Sequence, residues 1–285
     1  MRLIHLTDPH LTPLDGLWPD RAKGALSWLS WTLKRRHRHL RPRLDRLVRA
    51  LERLEPDAWA ITGDLCQTGR AAEIEVGGIW LERLAPPEQV LLVPGNHDIF
   101  DRRSEAGVRA RWQQFLHLAT IDGQWPVVRR LGPVSLIALN SAIVTTLGSA
   151  QGELGSAQLK RLDQVLGQEH GRCRVLLIHH PVETALCKPR KQLRDAEALR
   201  ELLSRHEPAL LLHGHLHRNH SGSIGTTSVF GTASASAAGE LGAACARSIC
   251  IEAIDAGFLV RMDLHALDNL QRLHIVEQHS WISHG

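Results

Sequence analysis

The chain repeats one short pattern, an apolar run that stops abruptly at a polar cluster. "RLIHLT" (2–7) meets Asp8-Pro9-His10, and "AWAIT" (58–62) meets Gly63-Asp64. "VLLVP" (90–94) meets Gly95-Asn96-His97-Asp98. "RVLLIHH" (174–180) ends in His179-His180-Pro181, and "ALLLHGH" (209–215) runs into Gly214-His215-Leu216-His217. A sixth run, "VSLIALN", spans 134–140. Each run is too short for a helix and rich in Val, Ile or Leu, so each is read as a strand buried on both faces. Between the runs, Leu44, Leu47, Val48, Leu51 and Leu54 recur at helical spacing, as do Leu159, Leu162, Val165 and Leu166. Residues 194–205 are a third helical candidate. Strand alternating with helix argues an α/β layered fold. Open sheets of that kind place their ligands at the carboxyl ends of strands, where these clusters sit.

The residue types narrow the chemistry. The chain has 18 histidines and no tyrosine, and no cysteine falls in any cluster. Asp, His and Asn are oxygen and nitrogen donors, which suit Mn, Fe, Mg or Zn rather than a thiolate zinc site. The candidate donors are too many for one cation and about right for two, and a carboxylate such as Asp64 can bridge a pair. Asp8-x-His10 and His215-x-His217 are expected to project both side chains from one side of an extended segment. Gly63, Gly95 and Gly214 are expected to let backbone approach the cations.

In order, Asp8/His10, Gly63-Asp64, Gly95-Asn96-His97-Asp98, His179 and Gly214-His215-Leu216-His217 resemble the D-x-H, G-D, G-N-H-D/E, H and G-H-x-H signature of the calcineurin-like metallophosphoesterase superfamily. The resemblance covers roughly residues 1–220. It implies a four-layer αββα sandwich with two divalent or trivalent metal ions. It assigns Asp8, His10, Asp64 and His217 to one ion, and Asp64, Asn96, His179 and His215 to the other. Such a pair would bind phosphoryl oxygens and acidify water. Asp64 is then the bridging, catalytic carboxylate, and His97, beside Asn96, is the general acid toward the leaving alkoxide. Many members read G-D-x-x-D, whose second Asp orients that histidine. Here Gln67 holds that place, without a charge to stabilise an imidazolium.

Length, "GNHD", "HHP" and "GELGSAQLKRL" (152–162) are similar to the bacterial cyclic-nucleotide phosphodiesterase branch. The first expectation is therefore hydrolysis of a small phosphodiester such as a cyclic nucleotide. The rival is a pyrophosphatase of a lipid-linked nucleotide such as UDP-diacylglucosamine. A non-catalytic metal- or phosphate-binding protein is the alternative outside enzymes.

The net charge of +4 is concentrated, since residues 34–53 alone carry +7 and the remainder −3. This window follows an amphipathic stretch with Ala22, Ala25, Leu26, Leu29 and Leu33 on one stripe, flanked by Trp28 and Trp31. Three readings fit, in this order: a solvated helix packed on the sandwich, a peripheral membrane contact through Trp, Leu and Lys/Arg, and, third, a nucleic-acid contact without an accompanying motif. Placed between Asp8-x-His10 and Asp64, about 14–42 would form a basic helical cap over the site and read the substrate. Residues 1–285 are otherwise expected to form one domain without internal repeats, and nothing sets an oligomeric state.

The remaining features are quieter. Cys66, Cys173, Cys187, Cys245 and Cys250 form no C-x-x-C pair and are expected to be free thiols. The start "MRLIHLTDPHL" has no signal-peptide core, and the uncharged run 219–239 is too polar to span a bilayer. A cytoplasmic chain is expected, peripheral on the inner membrane surface if the cap binds lipid. His180, His213 and His220 are read as core or supporting histidines, Cys66 as a packed residue, and 234–245 as a surface loop.

Overall fold

The computed structural model describes residues 1–11, 38–117 and 124–284. Two six-stranded sheets face each other. The first has strands β1 (Arg2–Leu6), β2 (Ala58–Ile61), β3 (Val90–Leu92), β10 (Cys245–Ile254), β11 (Gly257–Leu267) and β12 (Leu273–Ser283), in the order β12-β11-β10-β1-β2-β3. The second has β4 (Val127–Leu131), β5 (Val134–Ala138), β6 (Cys173–Leu177), β7 (Leu210–His213), β8 (His220–Ile224) and β9 (Thr227–Gly231), in the order β4-β5-β6-β7-β9-β8. β1, β2 and β3 run parallel, as do β5, β6, β7 and β9. Parallel pairing brings the polar clusters after β1, β2, β3, β6 and β7 to one end of the sandwich.

The apolar runs are continuous because these strands are covered twice. Leu136, Ala138, Val175, Leu177, Leu210 and Leu212 join the core shared with the first sheet. Their neighbours Ile137, Leu176 and Leu211 turn the other way, onto Leu162 and Leu166 of a helix at Ser156–Gln168 and Leu199 and Leu203 of one at Ala196–His206. Outside the first sheet, Leu44, Leu47, Val48 and Leu51 of the helix Arg41–Glu52 are buried, as are Ile74, Trp80 and Leu81 of Ala71–Leu84. The result is the expected four-layer αββα sandwich. We label these helices α1 (Arg41–Glu52), α2 (Ala71–Leu84), α5 (Ser156–Gln168) and α6 (Ala196–His206); α3 (Arg102–Arg111) and α4 (Gln113–Leu116) lie between α2 and β4 in the chain.

Most of the cap at 14–42 lies outside the described residues, which include only 38–42 of it. The surface loop at 234–245 is corrected: Ser234, Ala235, Ser236, Ala237 and Ala238 are buried, and only the stretch around Glu240 is exposed. Small residues occur there because the segment threads between the Asp8 loop and α1, with Ala235 N–H donating to Thr7 O at 3.0 Å. No helix among the described residues is long and apolar enough to cross a membrane.

Candidate metal centre

The clusters are drawn together by unusual backbone rather than by strand alternation. Asp8, His10, Asp64, His215 and His217 all have positive φ, from 40° to 69°, and they make up five of the nine such non-glycine residues described. That region is costly for side chains with a Cβ and collects at functional sites. Asp8-x-His10 and His215-x-His217 therefore converge through left-handed turns, which corrects the extended-segment expectation. The glycines also serve contacts between loops. A Cβ on Gly214 would fall on Thr7 Oγ1 and within 2.6 Å of Asp8 Oδ2, and one on Gly95 within 2.5 Å of Asp64 N. They let the strand-end loops approach one another and thereby set the carboxylates.

All seven candidate ligands meet at this end of the sandwich. Ligand atoms of Asp8, His10, Asp64 and His217 lie within 4.8 Å of one another. His217 Nε2 is 3.1 Å from Asp8 Oδ1 and 3.3 Å from His10 Nε2. On the other side, His179 Nε2 is 3.2 Å from Asn96 Oδ1 and 3.3 Å from His215 Nδ1. Asp64 Oδ2 lies between the groups, 3.9 Å from His10 Nε2 and 3.5 Å from His179 Nε2.

Hydrogen bonds orient these atoms. His10 Nδ1–H donates to Cys66 O (2.9 Å) and His179 Nδ1–H to Thr62 O (2.6 Å), which turns both Nε2 atoms inward. Asp8 Oδ2 accepts from Thr7 Oγ1–H (2.7 Å) and His215 N–H (3.0 Å), while Oδ1 is buried with no hydrogen-bond partner. Asp64 Oδ1 accepts from His97 N–H at 2.8 Å, which leaves Oδ2 for the centre.

The electrostatics ask for positive charge. Burial pushes the Asp64 carboxyl up, but His179, then His97 and His10, outweigh it and hold the group well below the usual range. Burial likewise lowers His179, yet Asp64 and then Asp8 push it up to about 9, so the surrounding carboxylates favour positive charge at this point. His10 and His215 are held well below the ordinary value, first by burial, then by neighbouring imidazoles, and so offer lone pairs at neutral pH. An orphaned buried carboxylate oxygen, neutral imidazoles and converging acceptors fit a cation site.

His97 lines the adjoining cavity, and its Nδ1–H donates to the main-chain oxygen of Gln67 at 2.6 Å. The contact at position 67 thus comes from the backbone, whatever the side chain. Asp98 is engaged elsewhere, its oxygens accepting from the N–H groups of Asp64 (2.8 Å), Gly95 (2.9 Å) and Cys66 (2.9 Å). Cys66 is fully buried, and burial pushes its thiol well above the ordinary value. His180 lies beside His179 and His215, but Ser141 Oγ (2.8 Å) and Ala150 O (3.3 Å) occupy its two nitrogens. His213 is buried behind Gly231, and His220 pairs with Glu183 at 3.0 Å.

His39, which no sequence motif marks, also stands at this centre. Its ring centroid lies 4.4 Å from that of His10 and 5.2 Å from that of His217. Nothing in its sequence neighbourhood signals this, because the contact depends on residues 234–238 docking against it. His39, His97, Asp64, Asn96, His215 and His217 line a cavity of about 460 Å³ whose rim includes Arg38, Arg190 and Lys191. A larger open cleft of about 880 Å³ beside Glu183 and Arg194 contains none of the candidate ligands, so chemistry and not volume selects the site.

Comparison with known proteins agrees with this geometry. The chain is 29% identical over 192 residues to a "Probable cyclic nucleotide phosphodiesterase" of Synechococcus sp. (strain ATCC 27144 / PCC 6301 / SAUG 1402/1), covering 67% of this chain and 69% of that one. Among solved structures, purple acid phosphatase PPD1 from yellow lupin (Lupinus luteus) seeds superposes with a TM-score of 0.59 at 12% identity, a likeness of fold. That match covers 98% of this chain and 53% of the lupin chain, so this chain spans about half its length. The family model described as calcineurin-like phosphoesterase matches residues 1–219. The chain belongs to the calcineurin-like phosphoesterase family.

Proposed function

We propose that this chain hydrolyses a small phosphodiester, with a 3′,5′-cyclic nucleotide as the first substrate class. The centre would hold two metal ions, one on Asp8, His10, Asp64 and His217 and one on Asp64, Asn96, His179 and His215. The observation that carries this is the position of Asp64 Oδ2, shared by two groups of inward-facing acceptors. Ions bound there supply Lewis acidity toward phosphoryl oxygens and a water acid enough to lose its proton near neutral pH. The protein's part is positioning and proton transfer. Asp8 and Asp64 are locked by main-chain donors, so their free oxygens keep their places. His97, anchored through Nδ1 to the Gln67 carbonyl, presents Nε2 for protonating the leaving alkoxide. Arg38, Arg190 and Lys191 make the rim attractive to an anion, while Phe100, Leu147 and Leu241 offer apolar surface to a base. The cavity volume lies within the range of small-molecule sites. The reading takes residues 1–285 as one domain, because β10, β11 and β12 complete the first sheet and 234–238 touch the site. The name of the Synechococcus relative supports the substrate class.

The test is turnover by manganese-loaded protein of 3′,5′-cyclic AMP, a UDP-linked lipid, a phosphomonoester and an activated nitrophenyl diester. Cyclic AMP hydrolysis that chelation abolishes and Mn²⁺ restores is the expected result. Preference for the UDP-linked lipid would replace the substrate class. Bound metal with no turnover of any ester would overturn the enzymatic reading in favour of a metal- or phosphate-binding protein.

A further inference from the structure

We infer that His39 is an additional ligand to the cation held by Asp8, His10, Asp64 and His217, an inference that rests on the two-ion reading above. Nitrogens of His10, His39 and His217 lie within 4.8 Å of one another, and the half-buried His39 ring stands edge-on to both partners. Proximity alone would also suit three packed rings. The hydrogen bonds behind His39 are those that a ligand would need.

Ser234 Oγ–H donates to Asp8 O at 2.6 Å, which uses its only proton. Toward His39 Nδ1 (3.2 Å), Ser236 Oγ (3.2 Å) and Ser236 N–H (3.3 Å), the Ser234 oxygen can then only accept. Ser236 Oγ lies 2.9 Å from His39 Nδ1 and 3.2 Å from Ser234 Oγ; with its proton directed to Ser234, its oxygen is open to the imidazole N–H. In that arrangement the proton is on Nδ1 and Nε2 carries the lone pair that a cation would take. His10 has the same arrangement with Cys66 O behind it. An oxygen acceptor behind one ring nitrogen is what fixes the tautomer of a metal-binding histidine.

The backbone also holds His39 in place. Leu40 N–H donates to Ser236 O at 2.9 Å, Ala238 N–H donates to Arg38 O at 2.9 Å, and His39 forms a β-bridge with Ala237. Ser234 binds the Asp8 carbonyl and the His39 ring at once, so the ligand loop and the new residue are positioned by one hydroxyl.

The test is Mn²⁺ titration of chelator-stripped full-length protein in competition with a fluorescent chelator. His39→Ala should weaken one of the two ions by at least about 10-fold and leave the other unchanged; Ser236→Ala should weaken the same ion less. His10→Ala is the control for that ion. A second measurement needs no folded variant. In ¹⁵N-histidine-labelled wild type loaded with Zn²⁺, a ring nitrogen beyond those of His10, His179, His215 and His217 should take a ligation shift. If His39→Ala binds both ions like wild type while His10→Ala loses one, or if only those four rings shift, the His39 assignment is overturned and the two-ion centre stands. If wild type binds no metal, both fall.

Discussion

The close approach of two loops at Asp64 makes Gly95→Ala a demanding test. The added methyl would fall on Asp64 Oδ1, within 2.5 Å of Asp64 N and 2.8 Å of Asp64 Cγ, where ordinary contacts are 3.4–4 Å. Relief needs a retreat of roughly 1 Å by a residue that is fully buried and tied on two sides. Asp64 N–H donates to Asp98 Oδ2 and Asp64 Oδ1 accepts from His97 N–H, both at 2.8 Å. Losing one such charge-assisted bond costs about 1.5–3 kcal/mol, and overpacking typically adds about 1–3 kcal/mol. We expect about 3–5 kcal/mol lower stability, read by urea denaturation of chelator-stripped protein so that bound ions add nothing by mass action. A shift of that size in a ligand should also lower turnover by about 10²-fold. Gly167→Ala is the internal control. Gly167 lies in α5 with nothing within 4 Å of the added Cβ, so it should gain about 0.5–1 kcal/mol. If Gly95→Ala unfolds within about 0.5 kcal/mol of wild type and keeps its Mn²⁺, loop approach does not set Asp64.

Three further outcomes are expected. Asp64→Ala should lose both ions, since it is the shared ligand; full metal content by atomic absorption would contradict the bridging role. His97→Ala should be mild with a nitrophenolate leaving group and should cost about 10²–10⁴-fold with a ribose alkoxide; equal losses on both substrates would point to binding instead. Glu169 is buried, accepts from Arg130 Nη2 (2.5 Å) and Ser135 Oγ (2.6 Å), and is held below the ordinary carboxylate range chiefly by Arg130. A depressed folded-state pKa means that its stabilisation is present above the unfolded value near 4.3 and is lost as pH falls through the folded one. Glu169→Gln should therefore lower stability by about 1–2 kcal/mol at pH 7, a figure reduced because the Arg130 side chain is mostly exposed. The deficit should shrink below about pH 4, and an equal deficit at pH 3 and pH 7 would refute this account.

Much of the architecture was legible because burial leaves a compositional trace. β1, β2, β3, β5, β6 and β7 are covered on both faces, so their residues are mostly apolar without alternation, and the runs stand out. The half-exposed strands β4 and β8 and the outer strand β12 carry mixed residues such as Arg129, Ser221 and Glu277, and they were not anticipated. The seven candidate ligands were legible for a related reason. Asp, His and Asn crowded directly after apolar runs are expensive to bury unless something pairs with them.

Residue type and chain position were thus enough to indicate a layered α/β fold with donor atoms gathered at strand ends, while the two-sheet sandwich followed only from the family resemblance. How those atoms are aimed was decided only in three dimensions. The left-handed backbone at Asp8, His10, Asp64, His215 and His217 belongs to Asp and His, which enter it more often than most side chains but still in a small minority of cases, so propensity does not say which of them do. His97 is anchored by a main-chain oxygen at Gln67, and every residue type supplies one. His39 reaches the centre because residues 234–238 dock against it from nearly two hundred positions away. Contacts between backbone groups and between distant segments leave no mark on composition or spacing, and here they orient the site.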